Sequence, residues 1–241
     1  MSYELHYKRY SENAILIEWP AKIDKNIHQD IIFYKNTLEK EKFKEIVEVI
    51  ISYNSLLIFY KSTIEDIYNE VSTLKLLYSQ KKSFKGAENK LWKIPVCYSP
   101  ALAPDLESFC KAKGFTIGDV IDLHTAPIYQ VYFLGFLPGF FYLGGLDKKL
   151  NFVRKNSPSL DVKKGSVAIG GNQTGVYPQD SPGGWHVIGR CPLNFFDPEV
   201  SPPCYILPKD KIQFISISEN GYNDISSLVN LSIYTPESVS L

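Results

Sequence analysis

The chain has 241 residues with 26 Lys and Arg against 26 Asp and Glu, so it carries no formal net charge, which excludes the basic footprint of a general nucleic-acid binder. Hydrophobic residues at 44% with 22% charged residues can build a real core, and the length admits one large or two modest domains. Aromatic residues at 14% beside a single Met point to β-rich packing rather than helical bundles.

The N-terminus alternates polar and apolar residues from Tyr3 to Arg9 and has no apolar signal core, so a cytoplasmic protein is expected. That run and Ala14–Trp19 read as a hairpin across 11–13. Asp24 is placed to cap a helix reaching Lys40, with Ile27, Ile31, Ile32, Tyr34 and Leu38 on its apolar side. Phe43–Tyr53 and Ser55–Tyr60 read as strands joined near Asn54. Thr63 followed by Asp66 opens a second helix through Ile67, Val71, Leu74 and Tyr78. The pattern ββαββα predicts an α+β domain over 1–88, with helices on one face of an antiparallel sheet. Residues 80–90 are polar and basic and read as a solvated linker.

From 89 to 241 the pattern changes. Leu91–Tyr98 reads as a strand, Pro104–Gly114 as a short helix with Pro-Asp at its start and Gly at its end, and Thr116–His124 as another helix. Strand-like runs follow at Ile128–Leu134, Val167–Gly170, Trp185–Gly189, Cys204–Leu207 and Lys211–Ile217, predicting a closed or nearly closed barrel. No formally charged residue lies between Asp122 and Asp147, yet Pro127, Pro138 and four glycines break that stretch too often for a lipid-facing helix, so no membrane span is expected. Cys97, Cys110, Cys191 and Cys204 have no C-x-x-C spacing, so neither a zinc site nor a secreted disulfide framework is expected.

Three blocks in this second part mix glycine, proline and aromatic residues densely: Gly135–Gly145, Gly165–Pro178 and Ser181–Arg190. Glycine permits positive φ and close backbone approach, proline fixes φ, and large aromatics beside them suit the wall of a concave site. Their shared glycine-aromatic chemistry predicts that the loops at Gly135–Gly145, Gly170–Pro178 and Ser181–Arg190 converge at one mouth of the barrel, near Arg154 and His124. The candidate ligand-binding residues are Gly135, Phe136, Pro138, Gly139, Phe140, Tyr142, Gly170, Gly171, Gln173, Thr174, Tyr177, Pro182, Gly183, Gly184 and Trp185. The aromatics among them fit barrel core as well as pocket wall.

These blocks resemble the signatures of the family of B-type 5-oxoprolinase subunits, which is also described as the Kip-type histidine-kinase inhibitor and as allophanate hydrolase subunit 1. Gly135-Phe136-Leu137-Pro138-Gly139-Phe140-Phe141-Tyr142-Leu143-Gly144-Gly145-Leu146 matches G-F-x-P-G-F-x-Y-L-x-G-L. The later blocks match G-S-V…Q-T-G-x-Y-P and S-P-G-G-W…G-R-T-P, and Val96-Cys97-Tyr98 and His124-Thr125-Ala126-Pro127 agree. The resemblance implies a small α+β domain followed by a cyclophilin-like barrel. It implies ATP-dependent opening of 5-oxo-L-proline to L-glutamate, an amide (lactam) hydrolysis, by this chain together with A- and C-type partner subunits; the chain is expected to be inactive alone. Two alternatives stand beside it: an inhibitor that binds a sensor histidine kinase, and a carboxyltransferase component of a urea-carboxylase-like system. Because Met1 is the only methionine, this chain has no Met-Lys carrier motif and no biotin is expected on it. The sequence departs from the family at Ser159, where an arginine is expected, at Lys163, where a proline is expected, and at Cys191, where a threonine is expected. Lys163 or Lys164 is available to replace the missing charge.

Opening a lactam with ATP, with Mg as its counter-ion, requires cations for phosphate, an oxyanion stabiliser and a base for water. Arg154 and Arg190 are the candidate catalytic cations. His124 is a candidate base or donor, although the residue pattern favours a buried structural histidine slightly over that role. No G-x-x-x-x-G-K-[ST] is present, which excludes a conventional P-loop.

Overall fold

The structure, a computed structural model, describes residues 3–40, 45–80 and 89–241. The chain divides into two compact units, Met1–Ala87 and Glu88–Leu241. Apart from its ends, the expected linker at 80–90 lies outside the described residues, as do the first two residues of the strand expected from Phe43.

In the first unit the elements run β1 (His6–Ser11), β2 (Ala14–Glu18), α1 (Lys25–Lys40), β3 (Ile46–Ile51), β4 (Ser55–Tyr60) and α2 (Ile67–Ser79). The strands form an antiparallel sheet in the order β1-β2-β4-β3. Alternation along β2 and β4 buries Ile15, Ile17, Leu56 and Ile58, and α1 packs against β3 and β4 while burying Ile27, Ile31, Tyr34 and Leu38. Asp24 Oδ1 accepts from the N–H groups of Asn26 and Ile27. For α2 the cap is Asp66 rather than Thr63: its Oδ1 accepts from Tyr68 and Asn69 N–H, and the helix starts after it. A carboxylate satisfies two orphan amides and meets the positive end of the helix dipole, which a distant threonine cannot do.

The second unit runs β5 (Lys90–Cys97), α3 (Leu106–Lys113), α4 (Ile117–Thr125), β6 (Tyr129–Leu134), β7 (Phe141–Gly144), β8 (Ser159–Val162), β9 (Ser166–Gly170), β10 (Gln173–Val176), β11 (Ser181–Gly183), β12 (His186–Arg190), β13 (Lys211–Ile217), α5 (Glu219–Asn230) and β14 (Ser238–Ser240). Seven strands follow one another in the order β12-β9-β10-β7-β6-β13-β5, and β5 pairs back onto β12 through Cys97 and Arg190, closing a barrel. Closure leaves these strands no open edge. β5 and β13 are parallel over seven residue pairs, β14 lies on β5 beside them, and β8 with β11 forms a separate two-stranded ribbon. The barrel is filled by Ile94, Val96, Tyr129, Val131, Phe141, Leu143, Ala168, Ile188 and Phe214.

α4 begins with a capping box in which Thr116 and Asp119 satisfy each other's backbone amides. The stretch between Asp122 and Asp147 resolves into the end of α4, then β6, a loop and β7, and no helix among the described residues is long and apolar enough to cross a membrane. Cys204–Leu207 is not a strand: it leads into a turn in which Leu207 N–H donates to the Asp210 carboxylate.

Candidate functional site

The site begins with a short stretch of backbone. Lys155 N–H donates to Gly184 O at 2.8 Å, and Val153 O accepts from His186 Nε2 at 3.0 Å. The peptides on either side of Arg154 are therefore bonded to the residues on either side of Trp185. This register lays Arg154 against Trp185, with the guanidinium carbon 5.7 Å from the indole centroid, within cation–π range. His186 is itself fixed between Phe152, whose ring centroid is 4.6 Å away, and Phe109.

A pocket of about 360 Å³ opens over this pair. Its walls come from all three glycine-aromatic blocks: Phe136, Phe140 and Tyr142 from the first, Tyr177 from the second, and Pro182, Gly183, Gly184 and Trp185 from the third. Arg154, Lys155 and Pro158 complete the lining. The aromatic rings meet edge to face: Phe140 with Trp185 at 5.7 Å, with Tyr177 at 5.5 Å and with Phe136 at 5.8 Å. Such packing gives a rigid apolar floor. Two glycines make it possible. A Cβ on Gly170 would enter the Trp185 indole, and one on Gly183 would enter the Tyr177 ring.

Charge in the pocket is one-sided. No lining residue is acidic. Lys155 Nζ sits 2.7 Å from Asp105 and 2.8 Å from Ser159 Oγ, with both ion-pair side chains largely shielded from solvent. Asp105 stands at the N-cap of α3 but makes no side-chain cap bond; its carboxylate accepts instead from Val187 N–H at 2.8 Å. The carboxylate thus ties α3, the Arg154 segment and β12 together. Arg154 has no acidic partner among the described residues and keeps its charge for whatever enters. Burial raises the phenol pKa of both Tyr142 and Tyr177, with the charge of Arg154 opposing it, so both are neutral hydrogen-bonding groups near neutral pH.

The remaining expected residues lie elsewhere. His124 is fully buried in the barrel, with Nδ1 2.6 Å from Tyr98 OH and Nε2 2.9 Å from Thr174 Oγ1. Burial drives its pKa down to about 3, so the ring is uncharged at neutral pH, and both its nitrogens are taken up by protein partners. Arg190 ends β12, opposite Ser166 and Cys97; five residues of strand separate it from Trp185, roughly 16 Å. Thr174 is buried as the histidine's partner, and Gln173 begins β10. Gly139 and Gly171 hold positive φ in their turns, Gly170 packs beneath Trp185, and Gly135 and Pro138 shape the loop without lining the pocket. Lys163, one of the two lysines available to replace the absent arginine, pairs with Asp161 and Asp180 at the surface. The ammonium near Ser159 belongs to Lys155 instead. Sequence reasoning missed Lys155, Pro158 and Asp105; the one available signal was that Lys155 directly follows Arg154.

Comparison with known proteins places this geometry in context. Residues 5–206 match the model of the carboxyltransferase domain, subdomain C and D. The chain is 33% identical over 233 residues to the B-type 5-oxoprolinase subunit of Bacillus subtilis (strain 168), covering 92% of this chain and 97% of that one. It is 36% identical over 174 residues to the corresponding 5-oxoprolinase subunit of Escherichia coli O157:H7, covering 72% and 79%. Among solved structures, the Kluyveromyces lactis urea carboxylase superposes with a TM-score of 0.84 at 20% identity, covering 100% of this chain and 24% of that one. At that identity the likeness is one of fold.

Proposed function

The chain belongs to the carboxyltransferase subdomain C and D family and, within it, to the B-type subunits of 5-oxoprolinase, and on that premise we propose that it supplies the lactam-binding half of an ATP-dependent 5-oxoprolinase. It is a subunit of 5-oxoprolinase, a hydrolase. The observation that carries the finer reading is the single pocket into which all three glycine-aromatic blocks bring a side chain or backbone wall, with Arg154 uncommitted above the Trp185 ring. We read the barrel as cyclophilin-like.

The pocket's residues divide the work of the reaction. An aromatic floor and one free guanidinium suit a small anionic ring. Opening that ring requires a base for water and a cradle for three phosphates. The lining offers neither a carboxylate nor an accessible imidazole. One uncommitted cation and the amides of Gly183 and Gly184 do not balance a triphosphate, and no group of His, Cys, Asp or Glu suited to a metal lies among the described residues. The pocket therefore does not fit ATP with its Mg ion. In this reading, partner subunits of the A and C types bring the nucleotide site and the base, and the chain is inactive alone.

The test is reconstitution. ATP-dependent glutamate release from 5-oxo-L-proline is measured with the cognate partner subunits, with and without this chain. Release that requires this chain supports the reading, and release that proceeds equally without it overturns the reading.

A further inference from the structure

We propose that Arg154 is the specificity residue of this pocket: it holds the carboxylate of a small lactam ring lying on the Trp185 floor, and so selects lactam acids over neutral lactams. The inference rests on the reading of the pocket as the lactam site, and goes further by assigning one substrate group to one side chain.

Four observations converge on it. First, the charge is uncommitted: the neighbouring cation, Lys155, is neutralised by Asp105, whereas Arg154 has no carboxylate partner among the described residues and no acid lines the pocket. A guanidinium offers a planar fork of donors that matches a carboxylate in two parallel hydrogen bonds. Second, its position is set by the fold. The bonds Lys155 N–H to Gly184 O and His186 Nε2–H to Val153 O clamp the backbone on both sides, so the side chain leaves a fixed point beside Trp185. Third, the face of the indole against the guanidinium holds the cation without consuming its donors. Fourth, the rest of the lining is apolar ring edge and proline, with the neutral phenols of Tyr142 and Tyr177 as its hydroxyl groups. A flat five-membered ring fits such a floor, and a free carboxylate has one destination in it.

The experiment uses the assembled enzyme with all its subunits and two substrates of the same ring, 5-oxo-L-proline and 2-pyrrolidinone, which lacks the carboxylate. For Arg154→Ala the preference in kcat/KM for 5-oxo-L-proline over 2-pyrrolidinone is expected to fall roughly 10- to 100-fold, the range set by losing hydrogen bonds to a charged group. Arg154→Lys, which keeps the charge and loses the fork, should fall between the two. An unchanged preference overturns the inference, including the case in which both rates drop together, because the arginine then serves the chemistry or the fold. If the wild-type assembly opens neither lactam, the functional reading fails on its own. Titration of the isolated chain, followed by the Trp185 indole NMR signal, then decides the inference separately. Shifts with 5-oxo-L-proline that vanish in Arg154→Ala support it. Wild-type shifts that are equal for both rings, or absent, overturn it.

Discussion

His124 shows how burial decides a residue's role. Thr174 Oγ1 donates its one proton to Ala168 O at 3.1 Å, so it must accept from His124 Nε2–H; Nδ1 then accepts from Tyr98 OH. The ring is neutral, fully hydrogen-bonded and stacked on Phe214 at 4.5 Å. Its folded pKa, about 3, lies below the ordinary histidine value of 6.5. Below pH 6.5 the unfolded chain gains a proton that the folded chain refuses, so stability is complete above that pH and falls steadily down to about pH 3. One such proton corresponds to about 1.4 kcal/mol per pH unit. Denaturant midpoints measured from pH 7 to pH 4 should therefore fall less steeply in His124→Gln than in the wild type, whatever the variant's starting stability; equal slopes would remove His124 from the acid response. Arg190 is the opposite case. Its Nε is buried with no hydrogen-bond partner among the described residues, and its charge favours the exposed Asp180 behind the larger effects of the Lys164 amide and Lys163. A buried donor without a partner is a cost. Arg190→Met should leave the assembled enzyme's activity near the wild-type value with no loss of melting temperature, and a large loss of activity at unchanged stability would restore Arg190 to the site.

At the scale of elements, the pocket depends on how closely aromatic rings approach strands. Trp185 lies directly on Gly170 at the end of β9, where any side chain would collide with it. Gly170→Ala should push the indole out of the floor, costing about 1–3 kcal/mol of stability as overpacking does and weakening ligand binding together with it. Retained binding at reduced stability would show that the floor tolerates the shift. The three blocks were legible in the sequence because few uses other than a shaped wall need glycine, proline and aromatics so densely together. The same density hid β7 and β10. Phe141–Gly144 and Gln173–Val176 carry the glycines of loops, yet their backbones pair within the barrel. α5 was also missed, although Ile225 and Val229 recur at helical spacing and pack half-buried against the core; no residue of the helix is fully buried. The Asp105–Lys155 tie joins residues 50 positions apart, and nothing local in the sequence marks such a partnership. For Phe136 the sequence left core and wall open; the structure puts it in the wall, with a positive φ of 69°, rare for an aromatic residue, that becomes visible only in the folded loop.

At the largest scale, that of the barrel unit as a whole, the surroundings of the site are rich in exposed apolar side chains. Beside the pocket residues in sequence, Val153 is 77% exposed and Leu160, on the separate β8–β11 ribbon, is 85% exposed, while Phe136 in the lining is 64% exposed. Large apolar groups concentrated around the one-sided mouth of an incomplete catalytic pocket are the material of an interface. If the partner that supplies the base closes over this mouth, Leu160 is buried on assembly although it touches no ligand. Leu160→Asp should then leave the melting temperature of the isolated chain unchanged, because the side chain is solvent-exposed there. In a titration of the partner subunits, the concentration needed for half-maximal activity should rise roughly tenfold or more, as expected for a charge placed in an apolar contact, while activity at saturation stays near that of the wild type. An unchanged titration would place the partner elsewhere on the barrel, and an unchanged titration combined with a lowered melting temperature would make Leu160 a part of the fold.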